Sequence, residues 1–138
     1  MADLAGMLGV KPRRAESPLY LIRKIQDGLP VSALDRIAKQ IAPNDANFRY
    51  RIVPRSSLAR RRQNGRLSPE EGARLARLAN LWSFACDVWK SNRDAREFLF
   101  RRHMLLEDRP PVDVVIESEL GAELVRYILG GLLHGTAL

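Results

Sequence analysis

The residues with the most distinct chemistry in this sequence are arginines, and they are concentrated in one part of the chain. Residues 49–77 contain nine arginines against two acids, Glu70 and Glu71, so their local net charge is +7. The formal charge of the whole chain of 138 residues is also +7. Guanidinium groups bind phosphate oxygens and guanine edges through paired N–H donors. A localised cluster of them, with an isoelectric point near 10.3, favours a nucleic-acid partner.

Residues suited to catalysis are few and scattered. His103 and His134 are the only histidines, and neither lies beside a nucleophile or a second metal ligand in the sequence. The sequence contains no phosphate-binding glycine loop, no dinucleotide fingerprint and no Cys/His set with metal-ligand spacing. The pair Glu70-Glu71 falls at a helix start, where the helix dipole favours acids. We therefore expect a protein that is not an enzyme, with no catalytic residue, no metal site and no cofactor.

The single cysteine and the hydropathy pattern indicate a cytoplasmic protein. Cys86 lies between Trp82 and Trp89, a setting typical of a small buried apolar residue, and one cysteine cannot form an internal disulfide. This usage is compatible with a reducing compartment. No apolar run approaches the length of a membrane span, and the start of the chain lacks the core of a signal peptide.

Helix start and stop signals predict two helices after a loose arm over residues 1–16. The first begins at Ser17-Pro18, with serine as N-cap and proline as the first helical residue, and ends at Asp27-Gly28. Ser32 is expected to cap the second helix, with Asp35 at its third position. The expected apolar faces are Leu21, Ile22 and Ile25 in the first helix and Leu34, Ile37, Ala38 and Ile41 in the second.

A short basic helix follows and is the candidate for DNA contact. Residues 46–53 alternate like a strand but have no partner strand, so a short helix or an extended connector is expected. Pro54 starts the basic helix, which runs to about Gln63 and ends at Asn64-Gly65. After two helices it has the outline of a helix-turn-helix, whose second helix presents its first turns to base edges. The predicted DNA-binding residues are Arg51, Arg55, Ser56, Arg60, Arg61, Arg62 and Arg66.

The clearest helix start in the sequence comes next. Ser68 and Glu71 form a capping box with a proline between them, which predicts a long helix. Arg74 and Arg77 lie on this helix and are expected to be structural or interface residues, for example by pairing Arg74 with Glu70. Its buried positions are expected to be Leu75, Leu78, Trp82, Ala85 and Trp89.

Three further helical segments complete an all-α fold. Ser91 caps the first, a helical turn follows Arg109-Pro110-Pro111, and Ser118 caps the last, which is expected to end at Gly130-Gly131 or Gly135. The expected buried residues are Ala95, Phe98 and Leu99 in the first segment and a stripe of Leu120, Leu124, Ile128 and Leu132 in the last. We interpret residues 17–78 as a helix-turn-helix-like module and residues 79–138 as a small helical domain.

The C-terminal part differs in charge and composition from the arginine-rich part. Residues 108–138 carry a net charge of −3 and place Gly121, Gly130 and Gly131 in an apolar helix. Glycine in a helix interior costs about 0.5–1 kcal/mol relative to alanine, so its use suggests close approach by another chain or a deliberate helix end. The apolar residues exceed what one helix buries against a small core, which favours a protein partner. The alternative is that all of them pack internally.

The motifs of residues 50–135, taken together, resemble those of a known protein family. The series RSSLARRRQNGRLSPEEGARLARLANLWSFACDVW, then DAREFL, then RPPVDVVIESELGAELVRYILGGLLHG, resembles antitoxins with an Xre-like DNA-binding half and an MbcA/ParS-type toxin-binding half. The similarity covers roughly residues 50–135. The matching motifs are Arg60-Arg61, Gly65 to Ser68, Arg74 with Arg77, Ala95 to Leu99, Pro111 to Asp113, and Gly121 to Val125. The sequence departs from the pattern at Gly72, where serine is common, and at Met104-Leu105, which replaces a polar loop.

The resemblance implies an antitoxin of a type II toxin–antitoxin system. Such antitoxins bind and inhibit a RES-domain toxin that degrades NAD, and they repress their own operon by binding its promoter, commonly as a homodimer. Residues 117–138 are then expected to dock on the toxin, with acids facing a basic rim and leucines, including Leu129, filling apolar pockets. The implied toxin-binding residues are Glu117, Glu119, Glu123, Arg126, Tyr127, Gly130, Gly131, Leu132, Leu133, His134 and Leu138. A helix-turn-helix regulator without a toxin, or a scaffold protein, are the competing interpretations.

Overall fold

The structure is a computed structural model that describes residues 4–8 and 19–133, and these residues form helices joined by short links. The α-helices are α1 Leu4–Met7, α2 Tyr20–Asp27, α3 Val31–Ile41, α4 Arg55–Asn64, α5 Pro69–Trp89, α6 Asn92–Phe100, α7 Pro111–Glu117 and α8 Glu119–Leu133. Two 3-10 helices, Phe48–Arg51 and Met104–Leu106, lie between them. The predicted all-α fold is confirmed for the described residues. No described helix combines the length and apolar character needed to cross a membrane.

The chain divides into two compact units, Ala2–Ala79 and Asn80–Leu138, called here the N-terminal and C-terminal units. Helix α5 contributes residues to both. The N-terminal unit has a core of large apolar side chains that are fully or almost fully buried: Leu29, Leu34, Ile37, Ile41, Phe48, Ile52, Leu58, Leu75 and Leu78. The corresponding residues of the C-terminal unit are Leu81, Leu99, Val112, Val115, Val125, Ile128 and Leu129.

The N-terminal arm differs from its prediction where it is described. Leu4–Met7 form one helical turn and Leu8 is fully buried, because this apolar side chain finds a place in the core that local sequence signals do not reveal. The predicted cap at Ser17-Pro18 lies outside the described residues. The first predicted helix ends as expected before Gly28, whose φ of +103° suits glycine. Ile22, predicted to be buried, is half exposed.

The predicted cap of α3 is wrong, and the reason lies in a distant segment. Helix α3 begins after Pro30, so Ser32 lies within its first turn and does not cap it. The backbone N–H of Val31 instead donates to the Gly65 carbonyl at 3.0 Å, and the Leu67 N–H donates to the Leu29 carbonyl at 2.8 Å. The α2–α3 link is therefore hydrogen-bonded to the α4–α5 link, and this pairing gives the first N–H group of α3 a hydrogen-bond acceptor.

The predictions for α4 and the start of α5 are confirmed. Helix α4 ends at Gly65, which has the left-handed φ of +79° that a helix stop of this kind needs. The capping box is present, since the Glu71 N–H donates to Ser68 Oγ at 3.2 Å and the Ser68 N–H donates to Glu71 Oε1 at 2.8 Å. The residues before α4 form the short helix that was one of two expectations.

In the C-terminal unit the helix caps are as predicted, but the buried face of α8 is not. Ser91 Oγ accepts from the Asp94 N–H at 3.2 Å, and Ser118 Oγ accepts from the Gly121 N–H at 2.9 Å. Helix α8 continues through the first predicted stop, Gly130-Gly131, to Leu133, and the alternative stop at Gly135 lies outside the described residues. Its buried residues are Ala122, Val125, Ile128 and Leu129, whereas Leu120, Leu124 and Leu132 are exposed. Helix α7 packs against α8.

Cys86 is partly buried, and its thiol donates to Asn92 Oδ1 at 3.4 Å. Burial, and then the charge of Asp87, raises the pKa of the Cys86 thiol, although Arg96 opposes the shift. A raised pKa keeps the sulfur protonated at neutral pH, which suits a structural residue better than a nucleophile.

Candidate nucleic-acid interface and partner-binding face

The first two turns of helix α4 are largely exposed to solvent, and one buried side chain attaches the helix to the core. Leu58 is the buried residue of α4, while Arg55, Ser56 and Arg60 are exposed. The Arg55 guanidinium lies 4.0 Å from the centre of the Tyr50 ring, a cation–π contact that restricts its motion. Within residues 4–8 and 19–133, Arg60 makes no hydrogen bond or ion pair. Its five N–H donors are therefore available to a ligand.

A second group of arginines is held by an acid of α3. The Arg62 guanidinium donates to both carboxylate oxygens of Asp35, from Nη1 to Oδ2 and from Nη2 to Oδ1, each at 3.0 Å. Arg49 donates from Nη1 to the same carboxylate. Hydrogen bonding by Arg62 lowers the pKa of Asp35, partly against its desolvation, and the charges of Arg62 and Arg49 lower it further. Asp35 thus stays ionised and fixes two arginines at once.

Arg61 is held in the same way by the capping-box glutamate. Its Nε donates to Glu71 Oε1 at 2.8 Å, and the Glu71 side chain is only 9% exposed. Burial acts to raise the pKa of Glu71, but hydrogen bonds from Arg61 and the Ser68 N–H, with the Arg61 charge, outweigh it and lower this pKa. The carboxylate is therefore charged at neutral pH and links α4 to the start of α5.

Three more arginines contact the chain itself. Arg66 Nη1 donates to the Gly28 carbonyl at 3.0 Å, and the Arg51 guanidinium lies 5.5 Å from the centre of the Phe48 ring. Arg74, predicted to pair with Glu70, instead donates to the Ile52 carbonyl, because that carbonyl lies beside the helix and offers a more buried partner. Sequence reasoning missed Asp35 as an arginine acceptor, since it lies outside the arginine-rich stretch.

Helix α8 carries an exposed apolar stripe, called here the α8 face and formed by Leu120, Leu124 and Tyr127. These side chains are 79%, 44% and 66% exposed, and their spacing of four and three places them on one side of the helix. The exposed charges Glu123 and Arg126 lie beside them in the sequence. Sequence reasoning assigned the two leucines to the core, although Ala122, Val125 and Leu129 offer an equally complete stripe.

The other predicted toxin-binding residues have mixed positions. Leu129 is fully buried, so its predicted insertion into a partner is wrong. Glu117 is exposed and accepts a hydrogen bond from Arg109 at 2.6 Å, which lowers the pKa of Glu117. Gly130 has open space where a Cβ would stand. The Leu133 side chain, His134 and Leu138 lie outside the described residues.

A close approach is present at Gly121, and it lies within this chain, between α7 and α8. A Cβ on Gly121 would lie 2.2 Å from the carbonyl oxygen of Val114 in α7.

Leu132 of α8 lines a cavity of about 320 Å³ together with Trp89, Phe98 and His103. The Trp89 and Phe98 ring centres are 6.1 Å apart, and those of Phe98 and His103 are 6.3 Å apart. Trp89, predicted to be buried, is 36% exposed.

An all-α scaffold that exposes a short arginine-rich helix is typical of helix-turn-helix DNA-binding proteins. Residues 21–80 match the family described as "Antitoxin Xre-like helix-turn-helix domain". Over 118 residues the chain is 32% identical to the curated protein "Antitoxin Xre" of Yersinia enterocolitica serotype O:8 / biotype 1B (strain NCTC 13174 / 8081). That match covers 83% of this chain and 79% of the relative. The chain belongs to the Xre antitoxin family.

Proposed function

We propose that this protein is an antitoxin that sterically inhibits a RES-domain, NAD-degrading toxin and represses its own operon by binding promoter DNA as a homodimer. Membership of the Xre antitoxin family supports a toxin partner and a DNA-binding role. The toxin class follows from the sequence resemblance over residues 50–135. The observation that carries the proposal is the contrast between the basic α4 in one unit and the exposed α8 face in the other.

The DNA-binding part of the proposal rests on the first turns of α4. A recognition helix contacts base edges with residues near its N-terminus, and Arg55, Ser56 and Arg60 are exposed there. Arginine pairs with the O6 and N7 atoms of guanine through two N–H groups, and each such pair contributes about 1–3 kcal/mol of discrimination. Arg60 is the leading candidate, because its guanidinium has no competing partner in the described part of the chain.

Replacing Arg60 by alanine is expected to weaken binding to promoter DNA by about tenfold or more and to lower the salt slope of log K by about one, since one phosphate or base contact is lost. The measurement is fluorescence anisotropy with promoter DNA at several salt concentrations. Arg93→Ala is the matched control, because it removes an exposed arginine from α6 in the other unit. Equal losses in the two variants would remove Arg60 from the interface.

The toxin-binding part of the proposal rests on the α8 face and the residues after it. Leu120, Leu124 and Tyr127 offer apolar contacts, and Glu119 and Glu123 offer charge to the basic rim expected around a site that binds NAD phosphates. A chain ending at Leu120 would delete Val125, Ile128 and Leu129 from the core. Such a chain would fail through loss of folding, so the end point must lie beyond α8.

The functional test is co-expression with the cognate RES-domain toxin that we propose as the partner, with bacterial growth and cellular NAD as readouts. The full-length chain is expected to restore both, and a chain ending at Leu133, which keeps all of α8, is expected to restore them less. Equal rescue would remove His134 and Leu138 from the inhibitory contact. If the full-length protein restores neither while still binding promoter DNA, the toxin assignment is wrong and a helix-turn-helix regulator without a toxin is supported.

A further inference from the structure

Much of the positive charge around α4 is engaged inside the protein. Asp35 from α3 holds Arg62 of α4 and Arg49 of the preceding 3-10 helix, and Glu71 from α5 holds Arg61 of α4. Three arginines of the stretch that suggested nucleic-acid binding therefore have intramolecular carboxylate partners. The two acids come from the helices before and after α4: Asp35 precedes Arg62 by 27 positions, and Glu71 follows Arg61 by 10 positions.

The geometry of these pairs makes them competitive with phosphate. Both terminal nitrogens of Arg62 face the two Asp35 oxygens at 3.0 Å, which is the paired arrangement in which arginine binds a carboxylate most strongly. The Asp35 side chain is 36% exposed and that of Arg62 is 45% exposed, so the pair lies at the surface where DNA would approach. Glu71 is more enclosed, and it also caps α5, so it cannot turn away from Arg61 without losing the cap.

We propose that Asp35 and Glu71 determine the specificity of DNA binding, because they withhold Arg49, Arg61 and Arg62 from phosphates and leave the contact to Arg55, Ser56 and Arg60. This inference rests on the proposed binding of promoter DNA through α4. Sequence-independent affinity grows with the number of phosphates that cationic side chains neutralise. A repressor must discriminate its operator from a large excess of other DNA, so withheld charge raises the ratio of specific to non-specific affinity.

Breaking an ion pair that has only a structural role would weaken DNA binding, whereas breaking the Asp35 pairs is expected to strengthen non-specific binding. Asp35→Asn keeps the shape of the side chain but frees Arg49 and Arg62. Affinity for non-specific DNA is expected to rise about tenfold at low salt, with the slope of log K against log salt steeper by about one to two. Affinity for the promoter should rise less, because Arg55 and Arg60 already supply its contacts. The ratio of promoter to non-specific affinity is therefore expected to fall several-fold.

Glu70→Gln is the matched control, since Glu70 is exposed at the start of α5 and makes no ion pair within residues 4–8 and 19–133. It removes the same charge beside Glu71 without freeing an arginine, so its slope should stay at the wild-type value. The double variant D35N/R62A removes one of the two freed arginines, and its slope should return by about one. Asp35→Glu keeps the negative charge, so its ratio of promoter to non-specific affinity should stay close to that of the wild type.

The experiment is titration of the full chain with promoter DNA and with a scrambled duplex of equal length, at several salt concentrations, with thermal unfolding recorded for each variant. If D35N weakens binding to both duplexes in parallel, Asp35 has only a structural role and the proposal is wrong. It is also wrong if E70Q raises non-specific affinity as much as D35N. If D35N folds poorly, the R62A variant provides the test. Because Arg62 is proposed to be withheld from DNA, a loss of DNA affinity in R62A as large as that in R60A would contradict the proposal. A wild-type protein that does not prefer promoter DNA would contradict the proposed function itself.

Discussion

Replacing Gly121 by alanine is expected to destabilise the protein by about 2–3 kcal/mol, because α7 and α8 approach each other too closely at this position to admit a Cβ. The new carbon would lie 2.2 Å from the Val114 carbonyl oxygen and 2.8 Å from Val114 Cγ1. Backbone cannot yield as a flexible side chain does, and Ser118 alone links the two helices. Alanine is the better helix former by about 0.5–1 kcal/mol, which offsets only part of this cost.

Thermal unfolding of the full chain, followed by circular dichroism, measures this effect. The melting temperature of G121A is expected to fall by roughly 7–10 °C. Gly130→Ala is the matched control in the same helix, because a Cβ there has no neighbour within 4 Å. That variant should gain about 0.5–1 kcal/mol from helix propensity. If both substitutions raise the melting temperature, α7 and α8 do not pack in the way described.

The second large effect is expected at the α8 face. Replacing Leu124 and Tyr127 together by alanine should weaken binding to the toxin by about 1,000-fold, since large apolar and aromatic side chains at the centre of an interface contribute about 2 kcal/mol each. Both residues are exposed, at 44% and 66%, so their removal should leave the folded state intact. Stability and toxin binding would therefore separate in this variant, whereas they fall together in G121A.

Calorimetric titration of the purified toxin with the full-length antitoxin tests this prediction. Glu123→Gln is the informative control, because an exposed charge at the rim affects mainly the association rate and costs only a few-fold in affinity. Ile22→Ala removes an apolar side chain that is 50% exposed in the N-terminal unit and should leave toxin binding unchanged. Binding of the double variant within threefold of wild type would show that the toxin uses another surface.

Local signals in the sequence were sufficient for most helix boundaries. The Ser68–Glu71 box, the caps at Ser91 and Ser118 and the stop at Gly65 were predicted, because each depends on hydrogen bonds between residues within four positions of one another. The concentration of arginines in residues 49–77 is likewise a property of the sequence, and it pointed to the DNA-binding class that the family match supports.

Features that depend on distant contacts were not predictable in this way. Helix α3 starts two residues earlier than expected because Val31 and Leu29 pair with residues 65 and 67, and α1 forms where Leu8 reaches the core. The face that α8 buries depends on tertiary packing, since the helix carries two apolar stripes and its sequence does not rank them.

The same division applies to the functional surfaces. The sequence by itself determined that the fold is all-α, that the net positive charge is concentrated in residues 49–77, and that the C-terminal part contains an apolar helix. Only the tertiary structure decided which arginines are available for DNA, because Asp35 lies 14 and 27 positions from the two arginines that it holds. Charge composition is additive along a sequence, whereas the pairing of charges depends on which side chains the packed helices bring within hydrogen-bonding distance.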